Sequence, residues 1–236
     1  TLAMTGTATA TGVTFSAASS TLDYAGYTGA VAVNQQGSTA AGITTITNFA
    51  NIGTLVGSGT NTTLTGANGG ETFNITGADS GTAGSLAFSG VGNLTGGSGD
   101  DSFIFADTGS LSGNVVGGAG TTDTLDLSAK TGTVAINQAT GAATGTGGFS
   151  GIEAVVGNNT DTTLTGTNGG VTFNITGANS GTAGSLAFSG ISSLTGGNGS
   201  DSFVFADLGS LSGSVAGGAG TTDTLDLHLK SGAVAI

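Results

Sequence analysis

The sequence predicts an all-β fold: a right-handed parallel β-solenoid of the β-roll or β-helix kind, with essentially no helix. Three observations predict it. A 100-residue repeat is written into the chain, a shorter period of alternating apolar segments runs inside it, and glycine, asparagine and aspartate punctuate those segments at regular intervals.

The long repeat is plain. TTLTGANGG at 62–70 returns as TTLTGTNGG at 162–170. TFNITGADSGTAGSLAFSG at 72–90 returns as TFNITGANSGTAGSLAFSG at 172–190, and GGAGTTDTLDL occupies 117–127 and 217–227. Weaker copies lie upstream, where VAVNQ at 31–35 answers VAINQ at 134–138. We read 1–236 as one continuous solenoid with repeats at 57–156 and 157–236, the second truncated, after a degenerate repeat at 1–56.

The inner period is set by two alternating series of short apolar segments. One runs through VAVN (31–34), FNIT (73–76), VGNLT (91–95), VAIN (134–137) and VAI (234–236). The other runs through TLDY (21–24), TTLT (62–65), SFIFA (102–106) and TLDL (124–127). Members of the first series lie about 20 residues apart, which gives a coil of strand, turn, strand, turn and nearly twelve coils in all. Within each strand, pairs such as Phe73 and Ile75, Phe103 and Phe105, and Leu125 and Leu127 alternate with polar residues, so one face points inward. Strands this short bury nothing alone, and stacking in parallel onto the next coil supplies the missing partner. Right-handed winding follows from the strong bias of parallel crossovers. A flattened two-sheet coil fits the period best. A three-sheet coil, with the linker 77–84 adding a short strand, is the alternative.

Composition narrows the functions. Of 236 residues 48 are glycine, about three times the usual share, and proline is absent, which excludes collagen. With 36% hydrophobic and 7% charged residues the chain is not a disordered tail. The net charge is −12, with Lys130 and Lys230 the only cations, so neither nucleic acid nor an anionic membrane surface is an expected partner. There is no cysteine, hence no disulfide framework and no thiolate zinc site. No apolar run is long enough for a membrane-spanning helix. Both ends read as cuts through a longer or processed polypeptide.

The candidate site lies in two turns. GGSGDDSFI at 96–104 and GGNGSDSFV at 196–204 fit the pattern GGxGxD followed by a polar and an apolar residue. Glycines allow positive φ and turn carbonyl oxygens toward one point, and aspartate adds a hard anionic oxygen. The next turn along the same edge, GGAGTTD at 117–123 and 217–223, is one residue longer but carries Asp123 and Asp223.

These turns resemble the calcium-binding nonapeptide of RTX and haemolysin-type β-rolls. Residues 123–157 and 21–35 look like the connecting segments of those repeats in giant secreted bacterial proteins. Residues 173–197 resemble the β-strand repeats of filamentous-haemagglutinin-like surface proteins. The resemblance implies secretion, adhesive or structural roles and extracellular Ca2+. Its ligands would be Gly96, Gly97, Gly99, Asp100, Asp101 and Asp123, with Gly196, Gly197, Gly199, Asp201 and Asp223 in the second repeat. Other turns, GSGTNTTLT at 57–65 and GNNTDTTLT at 157–165, lack the second glycine. The competing reading is that these aspartates only cap solvated turns.

No catalytic constellation accompanies them. His228 is the single histidine and stands where the preceding repeat has Ser128. Asp100 and Asp101 are sequence neighbours without a second carboxylate at a defined spacing. The chain is therefore expected not to be an enzyme. The expected role is a secreted structural or adhesive rod, fibre or surface-layer element. Its partners would be its own copies end to end, further repeats of a larger chain, or cell-surface and matrix glycans. The alternatives are an accessory calcium β-roll of a secreted enzyme or toxin, and an ice-binding solenoid.

Overall fold

A computed structural model describes residues 1–232; the segment expected at 234–236 lies outside the described residues. The fold is a β-solenoid of about six turns of roughly 30 residues each. No α-helix occurs among the described residues, and one 3-10 turn, Phe49–Asn51, interrupts the strands. The chain divides into two compact units, Thr1–Thr124 with Gly145–Gly151, and Leu125–Thr144 with the residues from Ile152 onward.

In the first unit one sheet is built on Leu22, Leu55 and Phe88, which face one another in parallel register on Ser20–Tyr27, Ile52–Thr65 and Leu86–Gly97. Leu2–Gly6 extends it at one side. The later halves of the two long strands bend into a second ladder, where Val33, Leu64, Leu94, Val115 and Phe149 are successive partners. The bends fall where the register slips, between Ser89 and Asn93. The second unit repeats the scheme. Ile136, Leu164, Leu194 and Val215 form one ladder, and Phe173, Phe203 and Leu225 belong to the other.

The expected coil of about 20 residues, repeated nearly twelve times, is corrected by these registers. Most parallel partners lie about 30 residues apart, and a spacing of 20 to 22 occurs only at a few steps, such as Leu2 to Leu22, Leu94 to Val115 and Phe203 to Leu225. The cause is an inserted antiparallel strand. Thr72–Gly77, Ser80–Ala83 and Leu86–Gly97 form a meander in which Ala83 faces both Phe73 and Leu86. Thr172–Gly177, Ser180–Ala183 and Leu186–Ser189 do the same. The linker 77–84 thus contributes a strand, as the alternative reading expected, but inside an existing sheet. Asp79 and Asn179 sit in the left-handed region at φ 49° and 52° and turn the chain back. Short polar residues tolerate that conformation.

The interior of each unit is filled by side chains chosen by alternation. Phe73, Ile75, Phe103, Phe105, Leu125 and Leu127 are all fully buried. Each such side chain contributes roughly 1.5–3 kcal/mol by leaving water. Tyr24, in the place of Leu127, is also fully buried and donates its hydroxyl to the Ala41 carbonyl at 2.6 Å.

Candidate functional site

The turns that carry the glycine–aspartate motif connect the ladder ending at Gly97 to the strand Ser102–Phe105, and the ladder ending at Gly197 to Ser202–Phe205. The apolar anchors Phe103 and Phe203 drop into the core, and the motif aspartates, two residues earlier and on the same face, point inward with them.

Asp101 is fully buried, and Asp201 is 2% exposed. The Oδ1 of Asp101 accepts the Glu71 backbone N–H at 2.5 Å, and that of Asp201 accepts the Val171 N–H at 2.7 Å. In turn the Asp101 N–H donates to Asp123 Oδ1 at 2.7 Å, and the Asp201 N–H to Asp223 Oδ1 at 3.0 Å. A carboxylate on each turn therefore grips an amide of the neighbouring turn. The Oδ2 atoms of Asp101 and Asp201 are buried without a hydrogen-bond partner. They face the side of Gly96 and Gly196 where a side chain would stand.

Asp100 does different work. It is exposed, and its Oδ1 accepts the Thr121 and Thr122 N–H groups at 2.7 and 2.9 Å and the Thr121 hydroxyl at 3.0 Å. The Thr121 and Thr122 amides, then the Thr121 hydroxyl, hold its carboxyl below the usual carboxylate range. Ser200 takes its place in the second repeat. Burial pushes the Asp101 carboxyl up, against the Glu71 amide, and the charges of Asp123, Glu71 and Asp100 add to the rise.

The glycines are required by close approach. A Cβ on Gly96 would overlap the Gly117 carbonyl and the Asp101 carboxylate, and one on Gly99 would overlap Gly70. Gly97 and Gly197 lie at φ 153° and 137°, a conformation that suits glycine, and a Cβ there would press on the Ala67 and Thr167 carbonyls. Gly196 and Gly199 repeat the contacts with Gly217 and Gly170.

These aspartates are held by backbone amides through Oδ1, while Oδ2 of Asp101 and Asp201 stays a buried acceptor. Calcium takes six to eight oxygen ligands at about 2.3–2.6 Å. Here each Oδ2 faces a glycine that has no room for a methyl group. Asp100 is committed to the following turn. Among the described residues no group of three or more His, Cys, Asp or Glu is placed to share a metal ion.

Three polar clusters were not singled out from the sequence. Asp79 accepts the Ser112 N–H and hydroxyl, both at 2.7 Å, and Asn179 accepts the Ser212 N–H at 2.9 Å. Asn158 accepts the N–H groups of Thr160 and Asp161 and the hydroxyl of the fully buried Thr162, and donates to the Lys130 and Gly132 carbonyls. Lys230 Nζ donates to the Asp207 and Gly209 carbonyls and lies 6.0 Å from the Phe205 ring centre. A recurring signal for the first was present, an Asx followed by Ser-Gly at 79–81 and 179–181.

His228 is exposed, with Nδ1 2.5 Å from Asp226 Oδ1. A cleft of the first unit, about 280 Å³, is lined by Gln35, Gln36, Phe49, Ile52 and Leu86 among others, with no carboxylate, histidine or lysine. Comparison with protein-family models, curated proteins and solved structures finds no match to the chain.

Proposed function

We propose that this chain is a stretch of an extracellular structural or adhesive solenoid, wound right-handed, that is lengthened by further repeats or by copies of itself. The RTX-like turns and the β-strand-repeat segments support a secreted, bacterial-surface setting. The acidic surface, with Lys130 and Lys230 its only basic side chains, argues against nucleic acid.

One observation carries the proposal. Leu125 is fully buried, and Leu127, just past the end of its strand, donates its N–H to the Val156 carbonyl. Their counterparts one repeat later are more open, Leu227 being only partly buried. Leu225 is 48% exposed, with Leu208 at 82% and Leu229 at 49% beside it in the same part of the chain. Exposed leucines on such a face are a surface on which a further strand can pack.

Sedimentation velocity and negative-stain electron microscopy over a range of concentrations test this. The expected result is end-to-end assembly that Leu208→Ser with Leu225→Ser abolishes while the β-sheet circular dichroism remains. Monomers at every concentration, unaffected by the substitutions, would refute it.

A further inference from the structure

The two turns that match a calcium nonapeptide best spend their aspartates on backbone amides. We propose that the GGxGxD turns of this chain are self-liganded: the Asp101 and Asp201 carboxylates take over the task of a metal ion, fixing one turn of the solenoid against the next, so the fold holds its register without calcium.

The same geometry occurs twice. Asp101 reaches the amide of residue 71 and Asp201 the amide of residue 171, each 30 residues earlier. The residue at the receiving end is Glu71 in one repeat and Val171 in the other. Its side chain therefore does not matter, and the backbone N–H is what the carboxylate reads. A hydrogen bond to an ionised acceptor is roughly twice as strong as a neutral one. Asp123 and Asp223 continue the series by taking the amides of Asp101 and Asp201, 22 residues earlier. Carboxylate and amide thus alternate across three successive turns in each repeat.

An ion between turns does one mechanical job: it ties the oxygens of two neighbouring turns to a common centre. A carboxylate that accepts a neighbouring amide ties the same two turns directly. The glycines permit the close approach that this direct tie needs. Gly96 brings the Gly117 carbonyl and the Asp101 carboxylate so close that not even a Cβ fits, and Gly196 does so for Gly217 and Asp201.

Amide hydrogen exchange, read residue by residue, tests the proposal in millimolar calcium and in EDTA. In the unmodified chain the Glu71 and Val171 amides should be equally protected in both, and the melting midpoint should move by less than about 3 °C. Asp101→Ala should speed exchange at Glu71 by at least about tenfold and leave Val171 as it was; Asp201→Ala should do the reverse. Asp101→Asn, which keeps one acceptor oxygen, should fall between. Each single variant carries the intact turn as its own control, and the Asn variant covers the case in which the Ala variant does not fold. Two results would overturn the proposal. One is a calcium-dependent rise in the midpoint that disappears in Asp101→Ala. The other is a Glu71 amide that exchanges at the same rate with and without the Asp101 carboxylate.

Discussion

Phe73 and Phe103 stack face to face, with ring centres 4.8 Å apart and planes 5° from parallel, and Phe173 and Phe203 repeat the pair at 4.8 Å and 3°. The separation equals the spacing of hydrogen-bonded strands, so the rings are stacked by the backbone ladder itself. Phe103→Ala removes a fully buried ring and one half of a stack. We expect a loss of about 3–5 kcal/mol by chemical denaturation. Phe103→Leu, which refills most of the volume, should lose clearly less.

Glycines in neighbouring turns should respond in opposite ways. Gly96→Ala places a methyl group against the Gly117 carbonyl and the Asp101 carboxylate. It should cost about 1–3 kcal/mol or more. A Cβ on Gly69 meets nothing within 4 Å, and its φ is not positive. Gly69→Ala should be neutral or stabilise by about 0.4–1 kcal/mol through the unfolded chain. Thermal melts of the two variants check both.

Acid and base should act on Asp100 and Asp101 with opposite signs. A carboxyl raised by burial, as at Asp101, binds its proton more tightly when folded. Its contribution is whole below about pH 3.9 and is lost as pH rises through the folded value. Asp100, lowered by the Thr121 and Thr122 amides, contributes above about pH 3.9 and loses that contribution as pH falls through the folded value. Melting midpoints measured in pH steps should show that Asp101→Asn flattens the fall toward neutral pH. Asp100→Asn should instead flatten the fall toward acid.

Asn158 closes its turn with both ends of its amide, and it holds the Lys130 and Gly132 carbonyls as well. Asn158→Ala leaves Thr162 Oγ1, in a fully buried residue, without its 2.8 Å acceptor. A destabilisation of about 1–3 kcal/mol is expected in urea titration. Asn158→Asp, which keeps the acceptor and loses the donor, should recover part of it.

The alternating strands were legible because inward position is a matter of parity. Phe103, Phe105, Leu125 and Leu127 could be assigned without knowing which strand faces which. The coil length was not. Ser80–Ala83 and Ser180–Ala183 read SGTA, with one apolar residue at the end and no alternation, yet each takes a place in a sheet. Counting apolar segments therefore counted strands of different order as equivalent. The aspartates were found but not their direction. GGxGxD does not say which group its carboxylate will meet, and the amides it meets, of Glu71 and Val171, lie 30 residues away. Asp79 and Asn179 were overlooked because their acceptor role depends on partners 33 residues further on.

The meander at 172–189 has a bearing on how such a chain can change its length. In the second unit the strand Ala154–Val156 faces Leu186–Ser189; Ser180–Ala183 follows, then Thr172–Gly177, and Thr172–Gly177 faces Ser202–Phe205. The three strands of the meander follow one another in sequence, but its two outer partners do not. Deleting or copying a single turn would strand the middle of the meander without one of its two flanks. Only a cut made at the same phase of the 100-residue motif restores every pairing. Gene-level growth of this solenoid is then quantised, and homologous copies should differ by whole hundreds of residues rather than by thirties.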